Sequence, residues 1–386
     1  ARGKPTETPG AHRALHGADL ISDVVLVDQT PIGRTTRSNP ASYVGAFDLI
    51  RKRFASEPAS IERGYTAGTF SFNSGNGRCP GCSGNGFEHV EMQCLSDGYL
   101  RCPDCDGSRY RPEILEVKIS NPAGPARSIA DVLQMTVSEA AKFFSEDKGL
   151  LDCLAPLLAV GLDYLRLGQP VPTLSGGEAQ RLKLAGHLAE VTKRAGMRAR
   201  SKTAAKAAAP GGTLFLFDEP TTGLHFEDVA KLLASFSRLI GAGDSLIVIE
   251  HNLDVVRAAD WIIDLGPEGG GAGGEVIVSG APESVMRCTA SHTGRALTDS
   301  ERERLVAGAP LKARRSRAVR KARSSRARPV EDRARDQIVV SKAREHNMRD
   351  LDVSIPREGM TVVTGVSGSG KSTLAFEIVF AEGQRR

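Results

Sequence analysis

Aromatic residues are scarce in this 386-residue chain, at 5% with a single Trp. A core built from it is expected to be mostly aliphatic. Long apolar runs are missing too: none approaches the ~18–20 residues of a bilayer span. The N-terminus has no basic-then-apolar leader. Neither a membrane protein nor a secreted one is expected, and the cytoplasm is the expected compartment. The first residue is not Met, which reads as a piece of something longer. Cysteine forms no spread disulfide framework; four of the seven fall in two CxxC pairs, which fits a reducing compartment and a metal. Acid is absent from residues 312–328, which hold nine Lys or Arg. The net charge of +5 belongs to that segment, and the rest of the chain is net negative.

What is present reads as a soluble protein of two or three domains. Residues 1–22 read as a loop and 24–27 as a short strand. A helical pattern covers residues 44–54. Residues 76–110 are a compact Cys-rich module. Residues 113–119 alternate like a strand, and 130–158 read as helical. Residues 191–210, rich in Ala, Lys and Arg, read as an exposed insertion. Residues 213–294 have the strand–helix rhythm of an α/β domain, with a Gly-rich turn at 269–274. Residues 297–335 read as a disordered basic linker. Residues 338–340, 353–355 and 360–364 read as strands, and 371–381 as a helix.

Gly365-Val366-Ser367-Gly368-Ser369-Gly370-Lys371-Ser372 matches GxxxxGK[ST] between an expected strand and an expected helix, the context this phosphate loop requires. Glycines let backbone N–H groups wrap a phosphate at a helix N-terminus. Gly365, Gly368, Ser369, Gly370 and Thr373 are the cradle. Lys371 is expected to reach the β- and γ-phosphates of ATP, and Ser372 to ligate Mg²⁺. The run Thr213-Leu214-Phe215-Leu216-Phe217-Asp218-Glu219 is a buried strand delivering two carboxylates. Asp218 is expected to hold Mg²⁺ and Glu219 to orient or deprotonate the attacking water. Ile247-Val248-Ile249-Glu250-His251 repeats the pattern, with His251 placed for the γ-phosphate. Gln29, after the 24–27 strand, is the expected hinge contact to Mg²⁺ or water.

Cys79-Pro80-Gly81-Cys82 and Cys102-Pro103-Asp104-Cys105 are two knuckles separated by 19 residues. Two such knuckles make a tetrahedral four-cysteine zinc site. The segment between them carries the turn dipeptide Asp97-Gly98, so a β-hairpin stapled by Zn²⁺ is expected. Cys94, Cys153 and Cys288 are left over. Trp261, before an apolar strand, is expected in the core.

Leu174-Ser175-Gly176-Gly177-Glu178, followed by a basic and apolar helix that Ser175 can cap, resembles the signature of ABC-type ATPases. Ser175, Gly176 and Gly177 are then nucleotide-binding residues. The fold class this implies is α/β, an ABC-type P-loop ATPase module with a four-cysteine zinc hairpin and a helical signature subdomain. More narrowly, Asp28-Gln29-Thr30-Pro31-Ile32-Gly33-Arg34, Phe70-Ser71-Phe72-Asn73, Leu167-Gly168-Gln169-Pro170, the signature and Ile249-Glu250-His251-Asn252-Leu253-Asp254 resemble the UvrA family, the damage-sensing ATPase subunit of UvrABC excision repair. The match, over about residues 15–295, is to the second of that family's two ABC modules. Residues 338–386 resemble the P-loop segment that opens the first.

The expected division is 1–75 an ABC part with the Gln-loop, 76–112 the zinc hairpin, 113–192 the signature subdomain and 193–212 an insertion. Residues 213–296 follow as the Walker B and His-loop part, 297–336 as linker and 337–386 as the P-loop segment. The resemblance implies ATP, Mg²⁺ and Zn²⁺ as cofactors, and damaged double-stranded DNA as a partner. It also implies a second copy or complementary ABC module across each nucleotide, and a UvrB-type partner whose binding part is not among these residues. The P-loop implied just ahead of residue 1 is missing. A slice of a larger tandem protein is the favoured expectation: Lys371 and Ser372 then pair with Ser175–Gly177, while Asp218, Glu219 and His251 serve another nucleotide. A permuted module, with residues 360–364 inserted beside the Walker B strand in cis, is the alternative. Functional alternatives are a paralogue acting in resistance to DNA-binding drugs and a zinc-stabilised DNA-binding fragment without ATPase activity.

Overall fold

Four apolar runs govern the α/β part of the protein. Leu214 to Phe217, Leu246 to Ile249, Ile262 with Ile263, and Val362 with Val363 are all 2% exposed or less. Strands without a solvent face belong inside a parallel sheet covered on both sides. The structure, a computed structural model, describes residues 9–33, 35–90, 98–121, 124–200, 212–270, 273–306, 337–346, 348–366 and 368–385. Its contacts divide it into two units, Ala1–Asp28 with Arg198–Arg386, and Gln29–Met197.

The strands among the described residues, in chain order, are β1 (Ala14–His16), β2 (Asp23–Val27), β3 (Phe87–Val90), β4 (Gly98–Arg101), β5 (Lys118–Asn121), β6 (Gly124–Ser128), β7 (Thr213–Asp218), β8 (Ser245–Ile249), β9 (Trp261–Gly266), β10 (Glu275–Gly280), β11 (Gln337–Ala343), β12 (Leu351–Pro356) and β13 (Met360–Gly365). The first unit holds a six-stranded sheet of order β10-β9-β13-β8-β7-β2. Five strands are parallel, and β10 pairs antiparallel with β9. The helix Phe226–Gly241 carries the chain from β7 to β8; it buries Val229, Leu232, Phe236 and Leu239, a helical stripe against the sheet. A second sheet, β1-β11-β12, is antiparallel. One cluster runs through both, from Leu15 and Val340 to Leu216, Ile249, Val363 and Ile378.

The position of β13 departs from the favoured expectation. The last described strand fills the gap between β8 and β9, one strand away from the Walker B strand β7 and not beside it as in the permuted alternative, with Val363 opposite both Ile249 and Ile263. The P-loop segment is therefore a central element of the same sheet as Asp218, in cis. A flat apolar strand with two open edges on offer buries more surface there than at any sheet border.

Several local expectations also shift. Within residues 1–22, β1 pairs with β11; residues 1–8 lie outside the described set. Residues 113–119 split into a helix, Pro112–Leu115, and β5: Pro112 at the first helical position starts the turn. Residues 130–158 form three helices, Ile129–Gln134, Val137–Phe143 and Lys148–Ala159. Capping boxes Ser128–Asp131 and Thr136–Glu139 open the first two, and Asp147 caps the third. The signature helix runs on as Gly176–Arg200, because Ala, Lys and Arg favour helix even without a periodic face. Residues 201–211 are outside the described set. The start of the expected linker is helical, His292–Val306; residues 307–336 are not described.

In the second unit the few aromatics are gathered rather than scattered. Phe47, Phe54, Phe70, Phe72 and Tyr110 are buried, with Phe47 and Phe72 centroids 4.6 Å apart. The Tyr110 hydroxyl donates to the Phe70 carbonyl at 2.8 Å. The core expected to be aliphatic is aromatic here. β3 and β4 pair as the expected hairpin; residues 91–97, including Asp97 of the expected turn dipeptide and Cys94, are outside the described set.

Candidate nucleotide site and metal centre

The parallel strands β7, β8, β9 and β13 end at one edge of the sheet, where open α/β folds bind ligands. In register, Asp218 lies opposite Ile249, and Gly365 opposite Leu265. Past these ends come Glu219, His251 and the phosphate loop. Gly365 has φ +135°, and a Cβ there would stand 1.9 Å from the Leu265 carbonyl oxygen, so only glycine fits. Gly368 and Gly370 have φ +74° and +97°. The Gly270 N–H donates to the Gly368 carbonyl at 3.0 Å, so the Gly-rich turn braces the loop. The Ser369 hydroxyl is fully buried with no hydrogen-bond partner. A backbone cradle with an orphaned hydroxyl fits a phosphate chain. Ser367 lies outside the described residues.

Lys371 is buried, and its Nζ donates to the Gly365 and Val366 carbonyls at 3.0 Å each. Burial pushes its ammonium below the ordinary value; Glu219, Asp218 and Asp264 push it back up. Asp218 is raised, first by burial and then by Glu219 and Asp28. This crowd of carboxylates around one ammonium fits a divalent cation. Ser372 is exposed and Thr373 buried. Glu219 has φ +43°, a conformation costing a non-glycine residue ~1–3 kcal/mol. Its N–H donates to the Ile249 carbonyl at 3.0 Å, and its Oε1 lies 3.6 Å from His251 Nε2.

Among the predicted site residues the first unit thus brings together Asp218, Glu219, His251, Gly365, Gly368, Ser369, Gly370, Lys371, Ser372 and Thr373. Gln29, Ser175, Gly176 and Gly177 belong to the second unit, where they too meet. A Cβ on Gly176 would stand 3.1 Å from Gln29 Oε1. Lys183 Nζ donates to Thr30 Oγ1 at 2.9 Å, tying the Gln29 loop to the signature helix. Glu178 accepts the Ser175 N–H at 2.8 Å and the Tyr164 hydroxyl at 2.8 Å. Burial raises the Glu178 carboxyl, but these bonds outweigh it and leave it lowered.

Cys79, Cys82, Cys102 and Cys105 converge, their sulfurs all within 4.8 Å of one another. Cys82 and Cys105 Sγ are 3.7 Å apart, far beyond a disulfide bond of ~2.05 Å. A tetrahedron with metal–sulfur bonds of ~2.3 Å has edges of about 3.8 Å, so the set fits Zn²⁺. Burial pushes Cys105 up to about 12 and raises Cys82; a cation among the sulfurs is what makes them thiolates. Ser83 and Asp106, each following the second cysteine of a knuckle, have φ +53° and +44°, so the two knuckles turn alike.

Sequence reasoning gave no role to Glu250 and did not single out Arg109. Glu250 is 2% exposed and stands one residue before His251, the only signal it offers. Arg109 is buried with its guanidinium 4.8 Å over the Phe72 ring, donating to the Thr36 and Gly168 carbonyls at 3.1 Å each. Burial lowers it to about 10. Trp261, expected in the core, is partly buried against it.

No protein-family model matches the chain. It is 51% identical over 287 residues to UvrABC system protein A of Thermus thermophilus, covering 74% of this chain and 28% of that relative. The protein of the same name from Escherichia coli strain K12 is 48% identical over 289 residues, 75% of this chain and 28% of the relative. Among solved structures, UvrA2 from Deinococcus radiodurans aligns with a TM-score of 0.62 at 43% identity, over 72% of this chain and 32% of that one. The chain spans little more than a quarter of the length of the curated relatives it matches. No helix among the described residues is long and apolar enough to cross a membrane. Over about three quarters of its length, this chain belongs with the UvrA proteins.

Proposed function

We propose that this chain is a nucleotide-hydrolysing module of UvrA type that couples ATP turnover to binding of distorted duplex DNA in excision repair, in the cytoplasm. The observation that carries the reading is the placement of β13 between β8 and β9, which sets Lys371 beside Asp218 and Glu219 within one unit. Bound ATP with Mg²⁺ supplies the phosphoanhydride to be cleaved and the divalent charge that the carboxylates lack. Lys371 exchanges its two loop carbonyls for phosphate oxygens, at no net loss of hydrogen bonds. Ser372 and Asp218 hold the metal. Glu219 orients or deprotonates the attacking water, and His251, 3.6 Å away, steadies charge on the γ-phosphate side.

Ser175, Gly176 and Gly177 are assigned to nucleotide held by a second copy or complementary module, with Gln29 as the hinge residue beside them. The four-cysteine centre holds Zn²⁺ and stiffens the β3–β4 hairpin, which we assign to DNA; a UvrB-type protein is the further expected partner. The test is ATP hydrolysis by the full chain, with and without damaged duplex, beside Lys371→Ala and Glu219→Gln. Loss of about a hundredfold or more in Glu219→Gln, and of nucleotide binding in Lys371→Ala, is expected. Parent turnover that neither variant reduces would refute the assignment.

A further inference from the structure

We propose that Glu250 is a positioning residue for ATP hydrolysis, clamping the loop after Glu219 to the loop of His251 so that the two side chains meet at the γ-phosphate side. Its carboxylate is spent entirely on loop groups. Oε1 accepts the Thr221 N–H at 2.9 Å and the Thr221 hydroxyl at 2.5 Å. Oε2 accepts the His251 N–H at 2.8 Å and the Asn252 N–H at 3.0 Å. One oxygen holds each loop, and the residue is 2% exposed at the end of β8.

The loops need such a clamp. Glu219 sits at φ +43°, a strained conformation that persists only where the surroundings over-determine it. Its own N–H is held by Ile249, the last residue of β8, and the Thr222 N–H closes the turn on the Glu219 carbonyl at 3.1 Å. Thr221, inside that turn, is what Glu250 grips. The backbone N–H of His251 is held by the neighbouring Glu250. The 3.6 Å approach of Glu219 Oε1 to His251 Nε2 is therefore set from one buried carboxylate. A neutral amide at Glu250 keeps an oxygen for one loop and turns an N–H toward the donors of the other. No rotamer satisfies both, and buried unpaired donors displace what carries them. Glu250 touches no reacting atom in this scheme; it acts through Glu219 and His251.

This rests on the hydrolysis proposed above, so the experiment has an arm that does not need turnover. In the full chain, Glu250→Gln is expected to lower kcat by about tenfold to a hundredfold, the cost of an ångström-scale misplacement, with KM within about twofold. Thr221→Val, which keeps the N–H bond and loses only the hydroxyl, is expected to lower kcat less. The double variant is expected to fall short of the sum, as members of one network do. The second arm is the ring NMR signal of His251, identified by its loss in His251→Gln. Glu219→Gln is expected to shift that signal in the parent chain, and to shift it much less in a Glu250→Gln or Thr221→Val background. An unchanged kcat in Glu250→Gln, or an equal shift in all backgrounds, overturns the clamp. If the parent chain has no turnover, the hydrolysis reading fails and the His251 signal still decides the role of Glu250. If Glu250→Gln does not fold, Thr221→Val carries both readouts.

Discussion

Replacing Val362 and Val363 by Ala should unfold the first unit at much lower urea, because β13 is a central strand and not an appendage. Both side chains are fully buried. Each substitution removes two methyl groups, at about 0.8 kcal/mol apiece for lost burial. A residual cavity of roughly 50 Å³ adds about 1 kcal/mol at ~24 cal/mol per Å³. Each site therefore costs about 2–3 kcal/mol. The two side chains point to opposite faces of the sheet, so their effects should nearly add, giving about 4–6 kcal/mol against the 5–15 kcal/mol of a typical domain.

The protein carries its own reporter for this measurement. Its single Trp, Trp261, lies in β9 directly opposite Thr361 of β13. Urea unfolding followed by Trp261 fluorescence reads the sheet beside the substituted strand, without mixing in the second unit, which has no Trp. A strand hanging outside the sheet would instead behave as a surface segment, with a change within about 0.5 kcal/mol. That result would refute the cis insertion, and with it the single site shared by Lys371 and Asp218. A midpoint that moves with protein concentration would point to the strand coming from another copy.

Three further outcomes follow from the same geometry. Cys82→Ser or Cys105→Ser should remove bound zinc, read by metal analysis of the purified chain, and loosen protease protection around the knuckles; full zinc retention in both variants counts against a four-cysteine centre. Asp218→Asn should raise the melting temperature of the nucleotide-free chain at neutral pH while ending Mg²⁺-dependent turnover. The folded carboxyl is raised by burial and by Glu219, so its favourable contribution is confined to pH below its unfolded value and is lost as pH rises through the folded one; a lower melting temperature in the variant contradicts this. Gly176→Ala should push on Gln29, 3.1 Å from the new Cβ, and lower ATP turnover with little change in melting; turnover equal to the parent would separate the signature loop from Gln29.

What the sequence discloses and what it hides differ by the kind of constraint. A phosphate chain or a zinc ion admits few residue types at few spacings, so Lys371, Asp218 and Cys79 through Cys105 stand out in a single chain. Runs such as 214–217 are legible because a strand without a polar face has nowhere to be but inside a parallel sheet. The gap that a strand fills is not written in the strand. The apolar character of β13 is the same beside β8 and β9 in cis as in another module, and only the open edges of those neighbours decide. The continuation of the signature helix to Arg200 was hidden for a related reason: propensity without periodicity still makes a helix. The supporting side chains are the least legible. Glu250 grips Thr221 across 29 positions, and Arg109 reaches Thr36 across 73. Any carboxylate or guanidinium at the right depth would serve, so no spacing rule announces them; burial and bonding do. Ligand chemistry therefore fixes the residues that touch the ligand, whereas the fold alone selects those that hold them in place, and a reading of function from sequence will find the first kind well before the second.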